Sequence, residues 1–142
     1  GAVFQEDRLC PQLNAIQNVE LVLPEGKTKY REQIHNDFLQ IGLDEAALSL
    51  PARKLSGGQK RRAALLRALW AESDTLLLDE PFTGMDPDTM KKAAALLKER
   101  CGEKVVLLAT HDQKAIQELG WQVMELGGRA AESADSRVFP RK

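Results

Sequence analysis

Five consecutive residues near the middle of the chain, Leu55-Ser56-Gly57-Gly58-Gln59, have the composition of an anion-binding turn. A serine that can cap a helix is followed by two glycines and then by a long helical pattern. Main-chain N–H groups at such a helix N-terminus, together with the helix dipole, attract negative charge. On these grounds alone, a plain glycine turn with a serine cap explains the segment equally well.

A second candidate lies about twenty residues further on, where Asp79 and Glu80 follow the apolar run from Thr75 to Leu78. A short continuous apolar run is typical of a strand that is buried on both faces of a parallel sheet. The two carboxylates then follow the carboxyl end of that strand and point in opposite directions. Alone, the pair is also compatible with an ordinary acidic turn after a strand.

Together these segments resemble the ATP-binding cassette (ABC) ATPases, the motor subunits of membrane transporters. The residues that match the family's signature motif are Ser56, Gly57, Gly58 and Gln59, and the segment Leu76 to Pro81 is similar to its Walker B strand. The resemblance implies that Asp79 holds Mg²⁺ through water and that Glu80 is the general base that polarises the attacking water. It also implies that the signature residues bind the γ-phosphate of an ATP held by a second cassette.

Three further segments resemble family motifs and occur in the family's order. Asp86 ends a D-loop-like segment and is implied to cross to the partner's phosphate-binding loop, although its position before Pro87 also suits a helix cap. His111 resembles the switch histidine that contacts the γ-phosphate. Gln5 resembles the Q-loop glutamine, which senses Mg²⁺ and the lytic water. The resemblance therefore implies ATP and Mg²⁺ as ligands, with Gln5 near the metal.

The sequence of the Q-loop segment, Phe4 to Leu9, with Pro11 and Asn18-Val19 after it, resembles that of bacterial importers of sulfonate, nitrate, taurine or thiamine-like solutes, from which Cys10 and Gln12 depart. The implied protein is the ATP-hydrolysing motor subunit of a solute importer. Its implied partners are a second cassette, bound head to tail, and a transmembrane permease that sets the substrate and the direction of transport. We expect it in the cytoplasm, peripheral on the inner face of the cell membrane.

The phosphate-binding loop of the family, G-x-x-x-x-G-K-[ST], has no full match in the 142 residues. Gly26-Lys27-Thr28 supplies only the end of that motif, because Leu21 occupies the position of the first glycine and Pro24 stiffens the stretch. We interpret this segment as a surface turn and expect the true loop to precede Gly1 in a longer protein. The chain alone is then expected to bind nucleotide poorly and to be inactive.

The elements that must position these residues follow a βαβ order. After a strand end at Val3, the patterns predict a small helical region (Gln12 to Leu50), helices over Gln59 to Ala71, Pro87 to Arg100 and Gln113 to Leu119, and strands over Thr75 to Leu78, Lys104 to Ala109 and Trp121 to Leu126. The fold class is therefore α/β: an incomplete P-loop NTPase domain of the ABC type, with a parallel-sheet core that lacks its N-terminal strands and an added helical subdomain.

We expect residues 1–142 to form one partial domain. Its predicted parts are a helical subdomain over residues 10–70, which includes the signature motif, the C-terminal half of the α/β core over 71–127, and a mobile tail over 128–142. Without the first strands, apolar strand faces would be exposed. Such a chain is expected to swap, to dimerise or to pair with its own N-terminal piece.

Composition disfavours several other functions. The 20 basic and 21 acidic residues are interspersed, so no basic stripe favours nucleic acid. Cys10 and Cys101 lack metal-type spacing and indicate free thiols in a reducing compartment. No apolar run has the length of a membrane span, and no signal peptide opens the chain, so we expect a soluble protein that is not secreted.

Three alternatives remain at this stage. A soluble ABC ATPase of DNA repair carries similar motifs, but it inserts a long coiled coil where only about 50 residues separate Gln5 from Leu55 here, without sustained heptads. A translation-associated ABC protein normally carries two cassettes, whereas each motif occurs once in this chain. The third alternative is an inactive fragment.

Overall fold

The computed structural model describes residues 1–24 and 27–125, with the backbone alone for residues 27 and 28. Its core is a parallel sheet with three strands in the order β1 (Ala2–Val3), β2 (Thr75–Asp79) and β3 (Val105–Ala109). Val3 pairs with Leu78, and Leu78 pairs with Leu108. The three strands therefore end side by side, and the residues that follow them share one edge of the sheet.

Helices fill the sequence between β1 and β2. They are α1 (Ala15–Glu20), α2 (Arg31–Gln40), α3 (Glu45–Ser49) and α4 (Gly57–Trp70), with 3₁₀ turns at Lys27–Tyr30 and Ala52–Lys54. Asn14 and Asp44 cap α1 and α3 by accepting hydrogen bonds from amides of the first turn. Ile34, Phe38 and Ile41 are fully buried among these helices. The predicted helical region is confirmed.

Two helices flank β3, namely α5 (Pro87–Cys101) and α6 (Gln113–Leu119). Asp86 and Asp112 cap them through amides of their first turns, and Gly102 and Gly120 follow them with positive φ angles. The predicted strand, helix, strand, helix order from Thr75 to Leu119 is therefore confirmed. The α/β fold class with a parallel sheet is confirmed as well.

The predicted strand from Trp121 to Leu126 is wrong for its described part, because residues 121–125 form no strand. Trp121 packs against the core, whereas Val123 and Met124 lie 56% and 81% exposed, without the burial that a paired strand would give them. Leu126, the predicted tail at 128–142 and Gly26 lie outside the described residues. The predicted domain boundaries stay predictions.

The prediction that β2 is buried on both faces is also wrong. Leu76 and Leu78 are buried against the helices, but Leu77, Val105 and Leu107 on the opposite face are 46%, 61% and 62% exposed. Among the described residues, the helical layer covers one face of the sheet only. The expected exposure of apolar strand faces is therefore confirmed for this part of the chain.

A buried carboxylate joins three helices at the side of the core. Asp37 on α2 is 3% exposed and accepts a hydrogen bond of 2.9 Å from Trp70 Nε1 at the end of α4. Its other oxygen lies 2.6 Å from Arg100 Nη2 on α5. The Arg100 guanidinium also lies 5.2 Å from the centroid of the Trp70 ring. This cluster links the helices that follow β1 to a helix of the βαβ unit.

Candidate functional site

The predicted catalytic residues Glu80 and His111 meet at the edge of the sheet where β2 and β3 end. The Glu80 amide donates a hydrogen bond of 2.9 Å to the carbonyl of Ala109, the last residue of β3. Glu80 has a φ of +46°, a conformation that costs a residue other than glycine roughly 1–3 kcal/mol. The turn after β2 is therefore held in a strained geometry that directs the Glu80 side chain across to β3.

The Glu80 carboxylate accepts three hydrogen bonds there. Thr110 Oγ1 donates to Oε2 over 2.9 Å, and the His111 amide donates to Oε1 over 2.9 Å. His111 Nδ1 lies 2.5 Å from the same Oε1, while the rest of the imidazole is exposed to solvent. Because each carboxylate oxygen has two lone pairs, one lone pair on Oε2 is left for a further donor such as water.

These contacts also set the ionisation of Glu80. Burial raises the pKa of its carboxyl, but the hydrogen bonds from Thr110 and His111 and the charge of His111 outweigh burial, and the pKa is lowered from its ordinary 4.5. A lowered pKa means that the ionised form is favoured by folding. The stabilisation is therefore present above about pH 4.5 and is lost as the pH falls through the folded-state pKa.

We predict that an NMR titration of the Glu80 carboxyl has its midpoint below 4.5, and that His111→Ala moves the midpoint upward. The substitution removes the imidazole but keeps the amide donor, so part of the downward shift should persist. An unchanged midpoint in His111→Ala would show that the imidazole does not stabilise the carboxylate. The Asp86 carboxyl, whose pKa is lowered by hydrogen bonds from Thr89 and not by His111, is the internal control and should be unchanged in His111→Ala.

The residues predicted to hold magnesium, Asp79 and Gln5, follow neighbouring strands. Asp79 is the last residue of β2 and is exposed, and Gln5 comes two residues after the end of β1 with an exposed side chain. A carboxylate and an amide oxygen that face solvent are suitable ligands for a hard cation. The parallel pairing of the two strands places both residues at the same edge of the sheet as Glu80.

The signature segment forms the N-terminus of α4, as predicted. Ser56 Oγ accepts a hydrogen bond of 3.2 Å from the Gln59 amide, and Gln59 Oε1 accepts one of 2.9 Å from the Ser56 amide. This reciprocal pair is a capping box. Sequence reasoning assigned Gln59 to nucleotide binding alone, whereas the structure also gives it the role of a cap. Ser56 and Gly57 remain exposed.

Gly58, also predicted to bind nucleotide, packs against the loop before α5. A Cβ atom at Gly58 would lie 2.7 Å from the carbonyl oxygen of Gly84, whereas nothing lies within 4 Å of a Cβ atom at Gly57. Gly84 itself has a φ of +76°, which few other residues adopt. The signature turn therefore contacts the predicted D-loop of its own chain through two glycines.

The two signature glycines are predicted to differ in their effect on stability. Gly58→Ala forces the loop at Gly84 to move and should lower the free energy of unfolding by about 1–3 kcal/mol. Gly57→Ala meets no steric conflict and should leave it unchanged or raise it by up to about 1 kcal/mol, because alanine favours helix. Urea unfolding of the two variants measures the difference. Equal effects would contradict the packing role of Gly58.

The predicted D-loop aspartate caps α5 and flanks a cleft. Asp86 accepts hydrogen bonds from the side chain and amide of Thr89, which hold the pKa of its carboxyl below the ordinary value. The cleft encloses about 610 Å³, and its lining includes Glu80, Gly84 and His111. Ser56, Asp79 and Gln5 do not line it. Of the predicted site residues, Glu80 and His111 therefore line one cleft, and the signature serine lies outside it.

Comparison with known proteins identifies the family. The sequence model of the ABC transporter family matches residues 1–83, more than half of the chain. This chain belongs to the ABC transporter family. The predicted resemblance to the ABC ATPases is therefore confirmed.

Individual relatives of this ABC transporter chain are bacterial import proteins. The chain is 38% identical over 135 residues to the aliphatic sulfonates import ATP-binding protein SsuB 1 of Xanthomonas axonopodis pv. citri (strain 306), a match that covers 91% of the chain and 53% of the relative. It is 39% identical over 140 residues to SsuB 2 of Frankia alni, covering 96% of the chain and 56% of the relative. The chain thus spans about half the length of the curated relatives that it matches.

The fold of a solved ABC cassette agrees with these relatives. The dimeric structure of an ATP-binding cassette in a post-hydrolysis state, bound to ADP and Pi, superposes with a TM-score of 0.70 at 32% identity. The match covers 83% of this chain and 54% of that one. In the described part of this ABC transporter chain, no helix combines the length and the apolar character needed to cross a membrane.

Several polar residues of this ABC transporter chain were missed by sequence reasoning. Thr110, directly before the predicted switch histidine, was given no role from the sequence, yet it donates a hydrogen bond to the Glu80 carboxylate. Arg61 and Arg67 lie on α4 and bind the main chain of the Q-loop segment. Their only sequence signal was an excess of arginine on an otherwise apolar helix, which is also typical of a solvated face.

Proposed function

We propose that the protein, at its full natural length, is the ATP-hydrolysing motor subunit of a bacterial ABC importer. The observation that carries the proposal is the pairing of Glu80 with His111 across the ends of adjacent parallel strands, over 2.5 Å, in a chain of this family. In parallel α/β sheets, ligands bind outside the carboxyl ends of the strands, where Glu80 and His111 lie. The bacterial import ATP-binding proteins among the relatives support the direction of transport.

In this proposal Glu80 is the general base. Its carboxylate is ionised at neutral pH, because its pKa lies below 4.5, and one lone pair on Oε2 remains to accept a proton from water. His111 holds the other oxygen and presents an exposed imidazole that can donate to a phosphate oxygen. Moving His111 from Glu80 to the nucleotide would raise the basicity of Glu80 at the moment when ATP is bound.

We propose that Asp79 and Gln5 hold Mg²⁺ beside the nucleotide. Mg²⁺ typically keeps several waters and takes one or two protein oxygens together with phosphate oxygens, so a large cluster of acidic residues is not required. The described residues form no group of three or more histidine, cysteine, aspartate or glutamate side chains that could hold a metal ion. When bound, the ion neutralises charge on the phosphates. Asp79 supplies a carboxylate oxygen from the end of β2, and Gln5 supplies an amide oxygen from beside β1.

We propose that the signature residues act on a nucleotide held by a second cassette. Ser56 and Gly57 are exposed, and Ser56 does not line the cleft that contains Glu80 and His111. The amides of Gly57 and Gly58, which the capping box does not use, and the helix dipole are then available to an anion from outside the chain. Gly58, Gln59 and Asp86 complete this surface. A head-to-tail dimer would place the signature residues of one cassette against the nucleotide bound by the other, and a related solved cassette is dimeric.

The remaining partner in the proposal is a transmembrane permease, which would keep the protein on the inner face of the cell membrane. The relatives named above are ATP-binding proteins for import, which supports this arrangement. Co-purification of the full-length protein with a membrane protein is the expected result. Co-purification with DNA or ribosomes instead would favour the ABC ATPases of repair or translation and would overturn the proposal.

We further propose that these 142 residues alone bind nucleotide weakly and are inactive. No complete phosphate-binding motif occurs among them, and the Lys27 segment matches only its last part. The test is titration calorimetry of the chain with Mg-ATP, with Lys27→Ala alongside. We expect no heat of binding at roughly millimolar nucleotide. Tight binding that Lys27→Ala removes would show that Gly26-Lys27-Thr28 is a phosphate site and that the order of motifs has been misassigned.

A further inference from the structure

The segment from Phe4 to Arg8, which contains Gln5, has no regular secondary structure. Arg8 has a φ of +47°, and its guanidinium stacks over the Phe4 ring at 4.6 Å. A strained loop of this kind persists only where its surroundings hold it. The contacts that hold it come from the helix of the signature motif.

Arg61, five residues after the signature serine, provides the first of these contacts. Its Nη1 donates to the carbonyl of Phe4 over 2.5 Å, and its Nη2 donates to the carbonyl of Gln5 over 2.6 Å. The side chain is 8% exposed. Arg61 thus uses both arms of the planar guanidinium on two successive carbonyls, in a site that excludes most water.

Arg67, on the same helix, provides the second contact. Its Nη1 donates to the carbonyl of Arg8 over 2.7 Å, and its Nη2 donates to the carbonyl of Asp7 over 3.0 Å. The Asp7 carboxylate lies 3.2 Å from Arg61 Nη1, outside hydrogen-bonding geometry. Two arginines of α4 therefore bind four carbonyls of the five-residue segment, and we call this arrangement the arginine clamp.

We propose that the arginine clamp positions Gln5 and couples it to the signature turn. The proposal rests on the proposed function, because it takes Gln5 as a residue near the metal and the lytic water. Ser56 and Arg61 belong to one helical unit, so a displacement of the signature turn moves Arg61 and, through it, the main chain of Gln5. Arg61 and Arg67 are positioning residues, since they act on the reaction only through the Q-loop segment.

Lysine is the informative replacement, because it keeps the positive charge beside Asp7 but cannot bind two carbonyls in a fork. In Arg61→Lys and Arg67→Lys, we expect the NMR order parameters of the backbone amides over residues 5–9 of the 142-residue chain to fall from about 0.85 to below about 0.6. Order parameters in α5 should stay unchanged and report that the fold is intact. Arg31→Lys, at an exposed arginine at the start of α2 that pairs with Glu20, is the matched control. Unchanged order parameters over residues 5–9 in both variants would overturn the clamp.

The coupling to Gln5 needs a second readout, taken on the full-length protein. If Arg61 acts through Gln5, the loss of ATPase rate in Arg61→Lys should disappear in the background of Gln5→Ala, whereas a merely structural role gives additive losses. Additive losses would therefore overturn the coupling. If the full-length protein hydrolyses no ATP, the proposed function fails, and the order parameters still decide whether the clamp exists.

Discussion

Replacing Glu80 with glutamine is expected to lower the rate of ATP hydrolysis by the full-length protein roughly 10²–10⁴-fold, the usual contribution of a general base. The substitution keeps the shape of the side chain, its amide oxygen can accept from His111, and its amide nitrogen can donate to Thr110 Oγ1, because a hydroxyl also accepts. It removes the ability of Glu80 to take a proton. Affinity for ATP should therefore change little, so that kcat falls without a matching change in ATP binding.

The measurement is steady-state ATPase activity together with equilibrium binding of ATP to the same variant. Glu72→Gln is the matched control, because Glu72 is an exposed glutamate that precedes β2 and so lies away from the carboxyl ends of the strands. It should retain the activity of the unmodified protein. Retention of more than about a tenth of the activity by Glu80→Gln would assign the general base to another group and would leave Glu80 with the structural role of joining β2 to β3.

Replacing Asp37 with alanine is expected to lower the free energy of unfolding by about 3 kcal/mol, the lower end of the range for breaking a buried ion pair, because Arg100 is partly exposed. The loss arises mainly from the partners that remain. Trp70 Nε1 and the Arg100 guanidinium would be left without their acceptor in a largely desolvated site. Urea unfolding of the 142-residue chain measures the change.

Two further variants test the cause of this loss of stability. Asp74→Ala removes a carboxylate that is exposed and should change stability by less than about 0.5 kcal/mol. Asp37→Leu combined with Arg100→Met replaces both charges with apolar groups of similar size and should restore the part of the stability that is lost through the unpaired Arg100, while Trp70 Nε1 stays without its acceptor. If the double variant is as unstable as Asp37→Ala, the unpaired Arg100 guanidinium is not the source of the loss.

The elements around the candidate site could be predicted because their signals are local. Asp86 followed by Pro87 marks the start of α5, and Gly102 marks its end, whatever the rest of the chain does. The apolar runs before Glu80 and His111 likewise identify β2 and β3. Because parallel strands end at one edge, the nearness of Glu80 and His111 follows from the order of the elements.

The contacts that hold the site together could not be predicted in this way. Arg61 and the carbonyl of Phe4 are 57 residues apart, and nothing in either neighbourhood indicates the partner. The same holds for Gly58 and Gly84, whose contact requires the packing of a helix end on a loop. The segment from Trp121 misled the prediction, because alternation alone does not provide a neighbouring strand.

The exposed aliphatic face of the sheet has a practical consequence for anyone who handles the chain. Leu77, Val105 and Leu107 offer a contiguous apolar surface on a protein whose formal net charge is only −1, so little electrostatic repulsion keeps two molecules apart. Sulfate and phosphate strengthen the association of apolar surfaces. The chain should therefore precipitate early in a salting-out series, bind dyes that fluoresce in apolar environments, and be a ready client for chaperones that recognise aliphatic segments.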